Sequence, residues 1–143
     1  MKTLWIGAAV ASLALAGCSK GFEQNISTVG NTMAYDVTTF TVKTGEKVHV
    51  ILKNNGDNPA MQHNWVLVKP GAEAAVATAG MEAGVPAGYV KAGDANVLAA
   101  TPLSQPGATV EVTFTAPAKG SYPYICTFPG HYQAMKGTLT VTD

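Results

Sequence analysis

Lys47-Val48-His49-Val50-Ile51-Leu52-Lys53 puts Val48, Val50 and Leu52 on one side of the chain and Lys47, His49, Ile51 and Lys53 on the other. That alternation belongs to a strand with one buried and one solvated face. Thr44-Gly45-Glu46 turns the chain into it from an earlier run, Phe40-Thr41-Val42-Lys43, and Asn54-Asn55-Gly56-Asp57 turns it out again. The same period of two, rich in Val, Thr, Tyr and Phe, returns over Asn64–Lys69, Ala108–Thr115, Ser121–Cys126 and Lys136–Thr142. Two earlier candidates are Glu23–Thr28 and Thr32–Val37. Seven or eight short strands with Gly, Asn and Pro between them predict an all-β fold, most simply an antiparallel Greek-key β-sandwich or barrel. Ala72–Met81 departs from the pattern: its alanines, Glu73 and the closing Gly80 predict a short helix, and Gly84–Gly93 a loop. Residues 71–95 thus read as a helical flap beside the sandwich.

With 143 residues, 47% hydrophobic and 13% charged, the chain has material for one domain with a packed core. Nine Lys, no Arg and nine acidic residues leave a net charge of zero. No basic face and no guanidinium fork is offered to a nucleic acid, so that partner class is excluded.

Met1-Lys2 precedes an apolar run, Leu4 to Ala14, that continues through Leu15-Ala16-Gly17. One positive charge ahead of an apolar stretch is a secretory signal, and it falls short of the roughly 20 residues that span a bilayer. Leu15-Ala16-Gly17-Cys18 resembles the lipobox of bacterial lipoproteins. The resemblance implies a signal peptide over 1–17, a lipid on the Cys18 sulfur, a tether over 18–21 and a domain over 22–143. It also implies an exported, periplasmic or extracytoplasmic protein anchored to a membrane by lipid. Four extended residues reach roughly 13 Å, which keeps such a domain close to the bilayer. Removal of Lys2 leaves a net charge of about minus one.

The second cysteine opens Cys126-Thr127-Phe128-Pro129-Gly130-His131-Tyr132-Gln133-Ala134-Met135, a C-x4-H-x3-M pattern. Thiolate and imidazole suit copper in either oxidation state, and a thioether is a weak, soft ligand that suits Cu(I). Strands on both sides fix the loop ends, and Pro129-Gly130 turns it sharply enough for three donors to converge. A trigonal site needs one more imidazole. His49 lies mid-strand on the polar face, whereas His63 stands at a strand entrance, where loops gather at one end of a sandwich; His63 is the better choice. An exported protein rarely keeps an unpaired cysteine without cause, which also favours metal ligation at Cys126.

Met61-Gln62-His63-Asn64-Trp65-Val66-Leu67-Val68, with Cys126–His131 and Met135-Lys136-Gly137-Thr138-Leu139-Thr140, resembles the azurin and auracyanin branch of the cupredoxins, the small blue copper proteins. The resemblance is strong over these segments and weaker over the rest of Phe22–Asp143. It implies one type 1 copper with His63, Cys126 and His131 as equatorial ligands, Met135 as a long axial ligand and the Gln62 backbone carbonyl as a weak contact opposite. Gln62 is an auracyanin feature. The three residues between His131 and Met135 are the azurin spacing, where auracyanins have one more, and the azurin disulfide has no cysteines here. The same alignment implies that Asn64 ties the His63 segment to the Cys126 loop and that the Phe128 N–H donates to the sulfur.

The function implied is electron transfer by Cu(II)/Cu(I) cycling. Redox partner proteins would dock at an apolar patch around His131, rimmed by Pro129, Gly130, Met61 and in part Met33 and Ala134. Four side-chain ligands leave no place for a small-molecule substrate, which argues against an enzyme. A copper nitrite reductase or oxidase needs further histidines, and His49 cannot supply them. Copper delivery or storage is the alternative function, but it calls for exposed Met and His clusters, and the chain has five Met and three His. Trp65 and Tyr124 read as core aromatics.

Overall fold

The computed structural model describes residues 21–143. The expected signal peptide, Cys18 and most of the expected tether lie outside the described residues. The elements in chain order are β1 (Phe22–Ser27), β2 (Thr39–Lys43), β3 (Lys47–Lys53), β4 (Val66–Val68), α1 (Glu73–Ala83), β5 (Val97–Ala100), β6 (Thr109–Thr115), β7 (Gly120–Ile125) and β8 (Lys136–Thr142), with a single 3-10 turn at Val85–Ala87. Two sheets form, one ordered β1-β3-β6 and the other β2-β8-β7-β4-β5.

The alternation in β3 holds. Val48, Val50 and Leu52 are fully buried, and the intervening residues are partly or fully exposed. With Ile26, Phe40, Val42, Leu67, Leu139 and Val141 they fill the space between the sheets, around Trp65 and Tyr124. β4 differs because all three of its residues are buried. Leu67 faces the inner core, while Val66 and Val68 face outward beneath Val76 and Ala77 of α1. The flap is therefore the cover of the second sheet's outer face.

Three expectations are corrected. The sandwich is not wholly antiparallel: β1 runs parallel to β3 and β2 parallel to β8. After β1 the chain crosses to the other sheet as β2 before returning as β3, and such a crossover delivers the next neighbour in the same direction. Thr32–Val37 is not a strand. Gly30, at φ 55°, and the bond from Val29 N–H to the Ala34 carbonyl fold it back on itself, leaving one isolated bridge, Thr28 to Tyr35. β5 was absent from the sequence pattern; Val97-Leu98-Ala99-Ala100 has little strand propensity and is an edge held by pairing to β4.

Trp65 is wholly buried, with ring centroids 5.3 Å from Tyr124 and 5.9 Å from Phe114. Its indole nitrogen has no hydrogen-bond partner among the described residues, which is unusual for a buried tryptophan. The other tryptophan, Trp5, belongs to the expected signal segment. The chain cut before Cys18 is expected to fluoresce at short wavelength and to resist quenching by iodide. Emission near that of indole in water would contradict the dry core.

Candidate metal centre

At one end of the sandwich, the loop leaving β3, the entrance to β4 and the loop joining β7 to β8 meet. Asn54, the first residue beyond β3, is fully buried; its amide donates to the Met61 carbonyl at 2.9 Å and the Ser104 carbonyl at 3.2 Å. Ser104 in turn exchanges both backbone hydrogen bonds with His63, at 2.6 and 3.1 Å. His63 is thus held by its backbone from the chain after β5, and Asn54 ties that chain and Met61 to the strand end.

The Cys126–Met135 loop closes on itself. Cys126 N–H donates to the Met135 carbonyl at 3.0 Å, Met135 N–H to the His131 carbonyl at 2.8 Å, and His131 N–H to the Phe128 carbonyl at 3.0 Å. Gly130 makes the turn at φ 81°, a left-handed conformation that disfavours other residues. The Cys126, His131 and Met135 side chains are all buried in consequence, His131 remaining 5% exposed.

The Cys126 Sγ lies 3.9 Å from His63 Nδ1 and 3.7 Å from His131 Nδ1. The imidazole ring centroids are 5.0 Å apart. Among the described residues these three form the group of His, Cys and acidic side chains whose ligand atoms, one from each, all lie within 4.8 Å of one another. An ion with bonds of about 2.0 Å to nitrogen and 2.3 Å to sulfur, at 120°, sets sulfur and nitrogen about 3.7 Å apart. The donors already stand at that spacing.

Burial, with His131 nearby, lowers the His63 pKa to about 4, and burial also lowers that of His131. Both rings are therefore neutral at pH 7, each with a nitrogen free to bind a metal. Burial pushes the Cys126 thiol up to about 11, against the pull of two backbone N–H donors, Asn64 and Phe128, aimed at the sulfur. Without a cation the sulfur stays protonated. Metal uptake near pH 7 is accordingly expected to release about one proton per ion, from Cys126, and more as the pH falls through the imidazole range. A pH-indicator titration checks this; release of no proton at pH 7 would mean that the thiol is already ionised.

Asn64 does bridge the two segments. Its side-chain amide donates to Thr127 Oγ1 at 2.8 Å and to the Gly88 carbonyl at 3.1 Å, and its oxygen accepts the Thr127 N–H at 2.8 Å. Sequence reasoning missed Thr127, Ser104 and the flap residue Gly88; only Thr127, next to Cys126, carried any local signal. It also missed Asn64's own N–H as a donor to the sulfur. His49 stands apart from the cluster on the solvated sheet face, its ring nitrogens 3.4 Å from Glu23 and 2.9 Å from Glu111. Of the expected rim, Met33, Gly130 and Ala134 are exposed and Met61 and Pro129 half-buried. A shallow cavity of about 60 Å³ lies beside the loop, between Thr127–Gly130 and Ala77, Thr78 and Met81 of α1.

Residues 22–142 match the copper binding proteins of the plastocyanin/azurin family. The chain belongs to that family. It is 51% identical to auracyanin-A of Chloroflexus aurantiacus over 118 residues, 81% of this chain and 72% of the relative. It is 39% identical to azurin of Achromobacter denitrificans, covering 99% of this chain and 97% of the relative. The solved structure of auracyanin A, described as a "blue" copper protein, superposes with a TM-score of 0.78 at 49% identity, covering 84% of this chain and 98% of that one. An auracyanin structure from Roseiflexus castenholzii gives 0.79 at 41% identity, covering 85% and 97%. The cupredoxin sandwich, the copper cofactor and the blue copper class follow from this membership, and the His63, Cys126 and His131 donors fit one type 1 copper.

Proposed function

We propose that this plastocyanin/azurin-family chain is a membrane-tethered electron carrier, with His63, Cys126 and His131 as equatorial ligands, Met135 axial and the Gln62 carbonyl a weak contact. The observation that carries the reading is the convergence of a buried thiol and two neutral imidazoles at 3.7 and 3.9 Å, ahead of any ion. Bound copper supplies a one-electron Cu(II)/Cu(I) couple at this position. The chain's own contribution is rigidity: the loop's internal hydrogen bonds and the Asn64 and Ser104 ties resist the rearrangement that each oxidation state would otherwise prefer. Donors buried this deeply favour a carrier over a protein that gives its copper away. The same closed donor set supports a non-enzymatic role. Partner proteins would approach at His131, whose exposed edge lies beside Gly130 and Pro129.

The tether reading rests on Leu15-Ala16-Gly17-Cys18. Phe22 pairs with Val48 at the start of β3, whose other end runs into Asn54 beside the donor cluster. Seven residues at about 3.3 Å each separate the two ends by about 20 Å. A chain held at Cys18 would present His131 away from the lipid. Cys18→Ser is expected to leave the precursor unprocessed or soluble; undiminished lipid labelling would count against the anchor.

An optical and paramagnetic-resonance spectrum of the copper-loaded chain tests the site. A strong thiolate-to-copper band in the visible and narrow copper hyperfine splitting are expected, and a colourless Cu(II) complex would refute the assignment. Electron self-exchange set against copper loss to a chelator separates carrier from donor. Fast loss with slow self-exchange would favour copper delivery.

A further inference from the structure

Tyr35 lies in the segment that passes from β1 to β2, and it is 3% exposed. Its hydroxyl donates to the backbone carbonyl of Asn64 at 2.5 Å, 29 residues away in the chain. A hydroxyl facing a carbonyl acts as the donor.

Two peptide groups flank the Asn64 Cα, and each has a fixed partner. The group following it has its carbonyl on Tyr35 Oη and its N–H, that of Trp65, on Thr101 Oγ1 at 3.0 Å. The group preceding it has its carbonyl, that of His63, on the Ser104 N–H at 2.6 Å, and its N–H, that of Asn64, donates to the Cys126 sulfur. The Asn64 side chain is tied to Thr127 and Gly88, but through rotatable bonds. Tyr35 acts on the backbone directly.

We propose that Tyr35 is a positioning residue of the metal centre: by holding the Asn64 carbonyl it keeps the Asn64 N–H pointed at the Cys126 sulfur, and thereby raises the reduction potential. The inference rests on the blue copper reading of the site. An N–H donor withdraws electron density from the thiolate, which favours the electron-richer reduced state. Removing the hydroxyl leaves the Asn64–Trp65 peptide held only through the Trp65 N–H, so the Asn64 backbone turns more freely against the Ser104 tie and that donor weakens.

Tyr35→Phe removes the oxygen alone. Tyr124→Phe is the control: its ring belongs to the same cluster, 5.7 Å from Tyr35, and its hydroxyl donates to the Val37 carbonyl at 2.8 Å, not to Asn64. In the copper-free chain, Tyr35→Phe is expected to speed hydrogen exchange of the Asn64 amide about tenfold, the equivalent of one hydrogen bond. In the copper-loaded chain it is expected to lower the reduction potential and shift the visible band. Tyr124→Phe is expected to change none of these. Unchanged Asn64 exchange and potential in Tyr35→Phe would overturn the proposal. Equal changes in both variants would do so too, because they would reflect general loosening of the core. If the unsubstituted chain shows no blue band, the blue copper reading falls and the claim on potential falls with it. The exchange comparison needs no metal and still decides the contact.

Discussion

Cys126→Ser is expected to erase the visible absorption of the copper-loaded chain and to lower its affinity for Cu(I) by more than about 10²-fold, the upper range for losing a partner outside the ligand set. The band arises from charge transfer out of a thiolate, and a serine oxygen is a harder, weaker donor at neutral pH. The sulfur also stands where His63 and His131 converge, so no other side chain replaces it. Folding should survive. The side chain is fully buried and nearly isosteric with serine, and a hydroxyl can accept the Asn64 and Phe128 N–H groups, so a stability change of about 1 kcal/mol is expected. Absorption, Cu(I) competition with a chelator and thermal unfolding measure the three quantities separately. A blue band that persisted in Cys126→Ser would disprove thiolate ligation. Unfolding of the variant would instead make Cys126 a core residue first and a ligand second.

Gly137→Ala is expected to be the most destabilising single-methyl change in the second sheet, costing about 3 kcal/mol. Gly137 pairs with Tyr124 across β7 and β8, and a Cβ there would overlap the Tyr124 ring carbons and hydroxyl. That ring cannot step aside. It is fully buried between Tyr35, Phe40 and Trp65, and its hydroxyl is bonded to the Val37 carbonyl. Relief must come from β8, and β8 begins directly after Met135. The variant should therefore lose stability and also broaden the copper spectrum. A double-mutant cycle with Tyr124→Leu checks the cause, since removing the ring should recover much of the loss. Additive effects would place the damage elsewhere.

Legibility in the sequence followed the range of the forces involved. β3 could be read from seven residues because burial of one face imposes a period of two. The Cys126 loop was equally local: its three side-chain donors, its glycine turn and the strands that clamp it occupy one stretch of chain. Thr32–Val37 misled because a period of two over six residues does not report whether a partner strand is at hand. In the fold that segment crosses between sheets, and only Tyr35 makes a bridge. β5 was invisible for the opposite reason, a partner being present without the pattern. The choice of His63 over His49 came from position in the strand. The fold agrees, with His49 set between Glu23 and Glu111 on the solvated face.

Taken alone, the sequence determined the composition of the core, the all-β class, the residue types of the metal centre and the family resemblance, because each is written in local alternation or in one short motif. It could not determine that two strand pairs run parallel, or that Gly88, Ser104 and Thr101 reach the His63 segment. Nor could it assign Tyr35 to the Asn64 carbonyl. The contacts around His63 and Asn64 join residues 24 to 41 positions apart along the chain, as with Asn64 to Gly88 and His63 to Ser104, and the parallel pair β2–β8 joins residues 99 apart. They exist only once both sheets have closed on a shared core, so the tertiary structure decided them: backbone groups buried at the sandwich end must find partners, and packing alone settles which partners stand within reach.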